Sequence, residues 1–383
     1  MNVEISPSVL SGMVDAPPSK SYLHRLLICA ALSDNGCKVK NVSLSDDISA
    51  TLDCIETLKS GNRVYNCRES GSTLRFFVPL SLVMGDAAEF RGSERLIQRG
   101  ISEYEAAFAD KGIKIEKTPT AVFLRGRLSA GEYTLRGDVS SQFVTGLLLA
   151  LPLAEGESRL TVLPPVESRG YIDITLDVLQ SFGISVFEPE KNIFIIPGGQ
   201  KYSGTDCTAE GDWSNAAFFH ALSAMGADLK IKGLNGNSRQ SDRKCADYFK
   251  TLKCSAPEID LSDCPDLGPV LFAAAAAKHG AVFTGTRRLR LKESDRTSAM
   301  AEELLKFGVR TKIEENRVTV FPGTLRRPTQ PLSGHSDHRI VMALTLLCTR
   351  TGGEIAGAEA VAKSWPDFFP VLERAGLSAR LLQ

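Results

Sequence analysis

Lys20, Ser21 and Arg25 follow the break Pro17-Pro18-Ser19. Proline ends a strand ladder and suits the first turn of a helix, so the segment reads as a helix start with Ser21 and Arg25 one turn apart on the same face. Lys20, Ser21 and Arg25 then form a phosphate pocket or, equally well on sequence alone, a capped helix with solvated cations. Glu69-Ser70-Gly71-Ser72-Thr73 is a small-residue turn whose N–H groups suit an anion, with Arg75 just beyond it, and Arg95 and Arg99 share a face in GSERLIQRG. Val139-Ser140-Ser141-Gln142 sets hydrogen-bonding side chains at the mouth of an apolar run, either to cap it or to meet polyol or phosphate oxygens. Lys292-Glu293-Ser294-Asp295-Arg296 is dense in charge, and a helix there would put Lys292 and Arg296 on one face, as a surface ion-pair array or as ligand contacts. Asp266 and Asp337-His338-Arg339 carry more information. Their charges abut apolar runs, where loss of water demands a partner.

Other chemistries find little support. The five histidines form no H-E-x-x-H, and His335 with Asp337 and His338 reads as structural or substrate-facing. Nucleophile-elbow, Walker and dinucleotide fingerprints are missing, so no cofactor and no metal is expected. Lys plus Arg and Asp plus Glu both total 45, so no bulk field steers the chain to nucleic acid or lipid, and any anion site must be a local concentration of charge. The nine scattered cysteines contain no C-x-x-C pair and read as buried thiols in a reducing cytosol. Met1–Val14 has neither a basic start nor a long apolar stretch, and no apolar run approaches the ~20 residues of a membrane helix, so a cytoplasmic chain is expected.

The elements that must position these groups recur. A polar cluster followed by an almost wholly apolar run appears six times, starting at 20, 72, 140, 212, 266 and 337. Between the copies lie amphipathic helices, a glycine break and paired β-rich runs, clearest in the segments broken at Gly183 and Gly308. Gly61, Gly112 and Gly376 take equivalent places, and Cys254 stands where the sixth break should be. A helix apolar all round must be covered on every side, so these six lie inside and the amphipathic ones outside, three units to a domain. Their polar starts are capping or anion-contacting types.

The segments PPSKSYLHR (17–25), ESGSTLRFF (69–77), VSSQF (139–143), LKESDR (291–296), SDHR (336–339) and AKSWPDFF (362–369) together resemble the 5-enolpyruvylshikimate-3-phosphate synthases of the enolpyruvyl transferase family, from about residue 12 to 370. The resemblance implies an α/β fold of two inside-out domains, each of three βαβαββ repeats with buried parallel helices. It places the domains at 18–211 and at 1–17 with 212–383, with the active site in the cleft between them. The implied reaction moves the enolpyruvyl group of phosphoenolpyruvate to the 5-hydroxyl of shikimate 3-phosphate through a tetrahedral ketal, releasing phosphate. Asp266 matches the base toward the hydroxyl, and Lys20 and Glu293 match candidates for proton transfer at carbon 3 and at the leaving phosphate. Lys20, Gly71, Arg99, Gln142 and Lys363 match the holders of the phosphoenolpyruvate phosphate, and Arg296 and Arg339 its carboxylate clamp. Lys20, Ser21, Arg25, Ser140, Ser141, Gln142, Ser168, Tyr171, Asp266 and Lys292 match shikimate 3-phosphate contacts. Two phosphates and two carboxylates bring about five to six negative charges. Lys20, Arg25, Arg75, Arg99, Lys292, Arg296, Arg339 and Lys363 are the cations on offer. A monomer acting on small molecules, without nucleic acid or membrane, is expected.

Glu69 departs from an Asn common in the family, Arg288 stands where some members have Asn, and Gly71 implies sensitivity to the inhibitor glyphosate. Two other readings remain: a transferase acting on UDP-N-acetylglucosamine, which typically has Lys-Asn at Lys20-Ser21 and a Cys in the loop GSERLIQRG, and a non-catalytic anion-binding relative, which would not need Asp266 and Glu293.

Overall fold

The computed structural model describes residues 1–34 and 36–382. The chain divides into two compact units, Lys20–Ala209 and Met1–Ser19 with Glu210–Gln383, each with its own apolar core. Residues 18, 19, 210 and 211, which the resemblance implies for the middle unit, cluster with the other one. There Pro18 bridges Gly211 and the Ser19 amide donates to the Glu210 carbonyl (2.7 Å), tying the two strands at which the chain crosses.

The six apolar runs form helices Lys20–Leu32, Gly71–Met84 and Ser141–Ala150 in the first unit, and Trp213–Met225, Gly268–Ala276 and His338–Thr351 in the second. Every residue of Gly268–Ala276 is buried, and in Gly71–Met84 only Ser72 and Met84 are not. With no polar face, such helices hold only where others cover them. Close approach needs small residues: a Cβ at Gly146 would collide with the Tyr104 hydroxyl and the Arg75 carbonyl. Lys20–Leu32 departs from the pattern, since Leu27, Ala30, Ala31 and Leu32 stay half-buried. The sheet beside it, Val39–Lys40 with Cys207–Thr208, has only two short strands and covers less.

The amphipathic helices are Asp46–Lys59, Ser102–Phe108, Arg169–Ser181, Cys245–Cys254, Arg296–Lys306 and Phe368–Arg374. Five are followed by Gly61, Gly112, Gly183, Gly308 and Gly376, all at positive φ (69°, 70°, 74°, 85° and 109°), where a side chain is strained. The Cys254 exception has a simple cause. Ser255 leaves that helix in extended conformation (φ −152°), so no left-handed residue is needed.

Four sheets share one plan: two parallel strands joined through a buried helix, the second paired antiparallel with a third, and the third antiparallel with a fourth. In three of them, Val64–Asn66 with Ala87–Arg91, Glu132–Arg136 with Ser158–Leu163, and Glu258–Asp260 with Ala281–Thr284, a hairpin from the same stretch of chain completes the sheet. In the fourth, Leu332–Ser333 and Gly353–Ala356 are completed by the chain's two end strands, Asn2–Ser6 and Ser378–Leu382. The remaining two sheets exchange strands. Ser11–Asp15 runs into helix Lys20–Leu32 but pairs with Asp228–Lys232, and Cys207–Thr208 runs into helix Trp213–Met225 but pairs with Val39–Lys40. Each crossing strand thus serves the unit that its following helix does not belong to. No helix among the described residues is long and apolar enough to cross a membrane.

Candidate active site

In the unit Lys20–Ala209 the chemistry gathers at helix starts. Lys20 opens its helix and its Nζ donates to Asp47 Oδ2 at 2.6 Å, from the first turn of Asp46–Lys59. Arg25 lies inside, 3% exposed, and its guanidinium donates to Thr175 Oγ1 (2.7 Å), Thr145 Oγ1 (3.0 Å) and the carbonyls of Ser21 (2.6 Å) and Tyr171 (3.0 Å). These acceptors are all neutral, and among the described residues no carboxylate pairs with it. Burial pulls its pKa down, to about 10. One of its five N–H groups remains beyond those four bonds.

Gly71 opens the next buried helix between two guanidiniums. A Cβ there would lie 3.0 Å from Arg75 Nη1 and 3.1 Å from Arg99 Nη2. Arg75 is tethered, donating to Gln142 Oε1 (2.5 Å) and the Gly100 carbonyl (3.2 Å) and stacking on Phe143. Gln142 in turn donates to Ser72 Oγ (3.0 Å). Ser140 caps helix Ser141–Ala150 by accepting from the Gln142 amide, and Ser141 is buried beside it. Ser168 is buried and left-handed (φ 59°) just before helix Arg169–Ser181, whose first turn holds Tyr171. Beneath these groups runs a polar chain: His24 Nδ1 meets Thr51 Oγ1 (2.7 Å), Thr51 meets Thr73 Oγ1 (2.8 Å), and Thr73 donates to Ser70 Oγ (2.7 Å), the cap of Gly71–Met84. Burial keeps His24 neutral, with its pKa near 3.

In the other unit Arg296 is a hub. Its guanidinium, 1% exposed, donates to Asp337 Oδ2 (2.9 Å), Asp337 Oδ1 (3.3 Å), Asp266 Oδ1 (2.8 Å) and Glu293 Oε2 (2.8 Å). Burial opposes the charge on Arg296, but the three carboxylates outweigh it and raise the pKa. Asp337 also caps helix His338–Thr351 through the Arg339 amide (2.9 Å) and accepts from Ser294 Oγ (3.0 Å). Asp266, in the 3-10 turn leading into Gly268–Ala276, meets Lys292 Nζ at 3.1 Å and Arg339 Nη2 at 3.5 Å. Burial favours its neutral form, yet Lys292, Arg339 and Arg296 together hold it ionised, well below the usual carboxylate range. Arg339 is 4% exposed, and its Nη1 is buried with no hydrogen-bond partner among the described residues. Lys363 is buried at the end of the 3-10 helix Ala358–Lys363, which packs on His338–Thr351.

Within their units, then, Lys20, Ser21, Gly71, Arg99, Ser140, Ser141, Gln142, Ser168 and Tyr171 stand at the starts or ends of helices, with Arg25 inside helix Lys20–Leu32 bonded to Ser21, Thr145, Tyr171 and Thr175, and Asp266, Lys292, Glu293, Arg296 and Arg339 share one ion-pair network. The capping reading of the polar starts holds at Ser70, Ser140, Asp212 and Asp337, each of which caps its helix. The expected helical face for Lys292 and Arg296 is corrected: Lys292 is extended (ψ −163°) and the helix begins only at Arg296, behind the Asp295 cap. The two cations still meet, on Asp266. Asp47, the Lys20 partner, escaped sequence reasoning because a first-turn acid reads as an ordinary dipole-favouring residue.

The family model for EPSP synthase (3-phosphoshikimate 1-carboxyvinyltransferase) matches residues 5–64, 54–255 and 241–372. The chain belongs to the EPSP synthase family. Among its relatives, the 3-phosphoshikimate 1-carboxyvinyltransferase of Clostridium kluyveri is 38% identical, with 96% of this chain and 95% of the relative aligned. The enzyme of the same name from Clostridium acetobutylicum is 36% identical over 98% and 97%. In structure, EPSP synthase from Acinetobacter baumannii superposes over 100% of both chains with TM-score 0.80 at 24% identity. The enolpyruvyl transferase NikO from Streptomyces tendae covers 99% of this chain and 98% of its own, with TM-score 0.76 at 15% identity. These structural likenesses establish the shared α/β fold alone; the family membership rests on sequence.

Proposed function

We propose that this family member transfers the enolpyruvyl group of phosphoenolpyruvate to the 5-hydroxyl of shikimate 3-phosphate, as a cytosolic monomer. The observation that carries the reading is Arg339, a buried guanidinium with an unpartnered Nη1 beside the carboxylate of Asp266. A desolvated cation with an open donor next to a potential base suits an anionic substrate that must react by proton transfer.

Asp266 takes the proton of the 5-hydroxyl as the oxygen attacks carbon 2 of the enol, while carbon 3 receives a proton from Lys20 or Glu293. The product is a tetrahedral ketal phosphate. Loss of a proton from carbon 3 then restores the double bond as the bond from carbon 2 to the phosphate oxygen breaks, and Lys20 or Glu293 serves the leaving phosphate. Lys20, Gly71, Arg99, Gln142 and Lys363 hold the phosphate of phosphoenolpyruvate, which leaves, and Arg339 holds the carboxylate. Arg296, with four of its donations already made to carboxylates, contributes its remaining N–H and, above all, fixes Asp266, Glu293 and Asp337. Ser21, Arg25, Ser140, Ser141, Gln142, Ser168, Tyr171 and Lys292 take shikimate 3-phosphate. A substrate carboxylate on Arg339 shares the cations that depress Asp266, so binding itself raises the basicity of Asp266.

The test is phosphate release on mixing the protein with phosphoenolpyruvate and shikimate 3-phosphate, with UDP-N-acetylglucosamine in place of the latter in a parallel reaction. Release with shikimate 3-phosphate alone is expected. Release only with the nucleotide sugar moves the function to the sister reaction, and silence in both leaves an anion-binding protein.

A further inference from the structure

Glu303 lies two turns along helix Arg296–Lys306 from Arg296 and on the same face, yet it takes no part in the ion-pair hub. It is fully buried. Its carboxylate accepts from the Ser333 amide (3.0 Å), from His335 Nε2 (2.9 Å) and, through both oxygens, from Lys306 Nζ (2.9 and 3.0 Å). Arg296, at the start of the same helix, holds Asp337. One helix face therefore grips the segment 333–337 at two points about 10 Å apart along its axis.

Between the grips the backbone is strained. His335 and Ser336 are consecutive non-glycine residues at positive φ (48° and 52°), a conformation that L residues adopt at a cost and that persists only where the surroundings impose it. Gly334 is closely surrounded, since a Cβ there would lie 2.6 Å from a Val341 methyl and 3.0 Å from the carbonyls of Ala356 and Gly357. Immediately beyond the strained pair come Asp337, the cap and hub partner, and Arg339, whose open Nη1 carries the functional reading.

We infer that Glu303 and His335 form a clamp that imposes the left-handed turn at His335-Ser336 and so positions the Arg339 guanidinium for the substrate carboxylate. The inference rests on the proposed function for the identity of that carboxylate. Neither residue touches the reacting atoms; both act through the turn. A metal held by Glu302, Glu303 and His335, whose ligand atoms do lie within 4.8 Å of one another, is a poorer reading, because the Lys306 ammonium already sits on both Glu303 oxygens. The clamp also has a direction in pH. The Glu303 hydrogen bond lifts His335 above the ordinary imidazole value, with partial burial opposing and Glu302 and Lys306 contributing in opposite senses. Its full strength is thus present below about pH 6.5 and is lost as pH rises through the raised value.

The variants are His335→Ala, which removes the clamp, and His335→Gln, which keeps an N–H donor but cannot titrate. In His335→Ala we expect KM for phosphoenolpyruvate to rise about tenfold, with kcat and KM for shikimate 3-phosphate within about threefold of wild type. In His335→Gln the KM stays near wild type at neutral pH, and the ratio of wild-type to variant KM climbs between pH 6.5 and 9, a comparison that cancels the substrate's own ionisation. Independently of any substrate, amide hydrogen exchange at Asp337 and Arg339, whose N–H groups bond to the Gly334 carbonyl and Asp337 Oδ1, should speed about tenfold in His335→Ala. Unchanged exchange overturns the clamp, as does an unchanged KM in an active variant. Faster exchange in a protein whose wild type releases no phosphate upholds the clamp and overturns the functional reading alone. Should His335→Ala fail to fold, a flat KM ratio for wild type against His335→Gln is the refuting result.

Discussion

Asp266→Asn separates two roles that the hub assigns to one carboxylate. Asp266 lies 3.1 Å from Lys292, 2.8 Å from Arg296 and 3.5 Å from Arg339, so it is both the proposed base and an anion competing for the cations that the substrate needs. A substrate carboxylate on Arg339 Nη1 would sit about 6 Å from it. At an effective dielectric of about 20 that repulsion is about 3 kcal/mol, reduced to about 1–2 kcal/mol by the three intervening cations and by partial solvent access. The asparagine keeps the shape and a hydrogen-bonding oxygen but neither the charge nor the basicity. We therefore expect kcat to fall by about 10²–10⁴ while KM for phosphoenolpyruvate falls about five- to thirtyfold. The assay is steady-state phosphate release with phosphoenolpyruvate varied at saturating shikimate 3-phosphate, backed by calorimetric titration of phosphoenolpyruvate into the variant. A kcat within tenfold of wild type refutes the base, and weaker binding in the variant refutes the competition. Alkaline behaviour should change too. Burial, with Arg296 and Arg288, already lowers the Lys292 pKa against the support of Asp266, so without Asp266 that lysine loses its proton at lower pH and shikimate 3-phosphate binding should weaken earlier as pH rises.

Gly71→Ala pushes a methyl to 3.0 Å from Arg75 and 3.1 Å from Arg99; one of the two guanidiniums must give, and KM for phosphoenolpyruvate should rise about three- to tenfold with competition by glyphosate weakened further, as inhibition curves would reveal. Arg296→Met leaves three carboxylates facing one another, one of them fully buried; it should cost about 3–5 kcal/mol and lower the melting temperature of the unit containing residues 210–383 by roughly 6–20 °C in calorimetry. Thr51→Val breaks the buried chain from His24 to Thr73 and should destabilise by about 1–3 kcal/mol in urea titration with activity largely kept. Acid should unfold the Arg296 unit early, because Asp266, Asp337 and Glu303 all have depressed pKa values; their contribution is complete above the unfolded values of about 4 and drains away as pH falls through the folded ones, so stability measured from pH 5 to pH 2 should drop steeply, and less so in Glu303→Gln.

What the sequence made legible was whatever is local. An apolar run behind a polar start announces a buried helix with its cap, and six of them formed where the runs stood. A Gly after an amphipathic stretch announces a left-handed stop, and the missing glycine at Cys254 was answered by an extended Ser255 and not by strain. What stayed hidden is pairing between distant segments. Nothing in Ser11–Asp15 says that it joins Asp228–Lys232 instead of the sheet beside its own following helix, because a strand's pattern encodes its faces and not its neighbour. The same limit applies in the site. Lys20, Asp266 and Arg296 could be singled out by charge next to apolar runs, but Asp47 under Lys20 and Glu303 under His335 are ordinary helix carboxylates until folding removes water from them. Arg296 was legible as important, but not that one buried and two half-buried carboxylates, widely separated from one another in the chain, claim most of its donors.

Under the proposed function, that division of charge lets one protein sort two kinds of anion. In the hub, Lys292, Arg296 and Arg339 are matched by Asp266, Glu293 and Asp337, so an entering carboxylate must compete with a resident one and gains only what Asp266 yields. Arg25 is in the opposite situation: desolvated, held by neutral hydroxyls and carbonyls, its charge unmet by any carboxylate among the described residues. A dianionic phosphate placed there meets no competitor. Tight, uncontested holding suits a group that only anchors the substrate, because binding strength spent equally on ground and transition states orients without accelerating. Contested holding suits the reacting end, where each shift of charge from substrate to product is felt by Asp266 as a change in its own basicity. With Asp266 as the proposed base, the balance of the hub couples occupancy to proton transfer, and a hub with surplus positive charge would bind more tightly but leave Asp266 too weak a base to act.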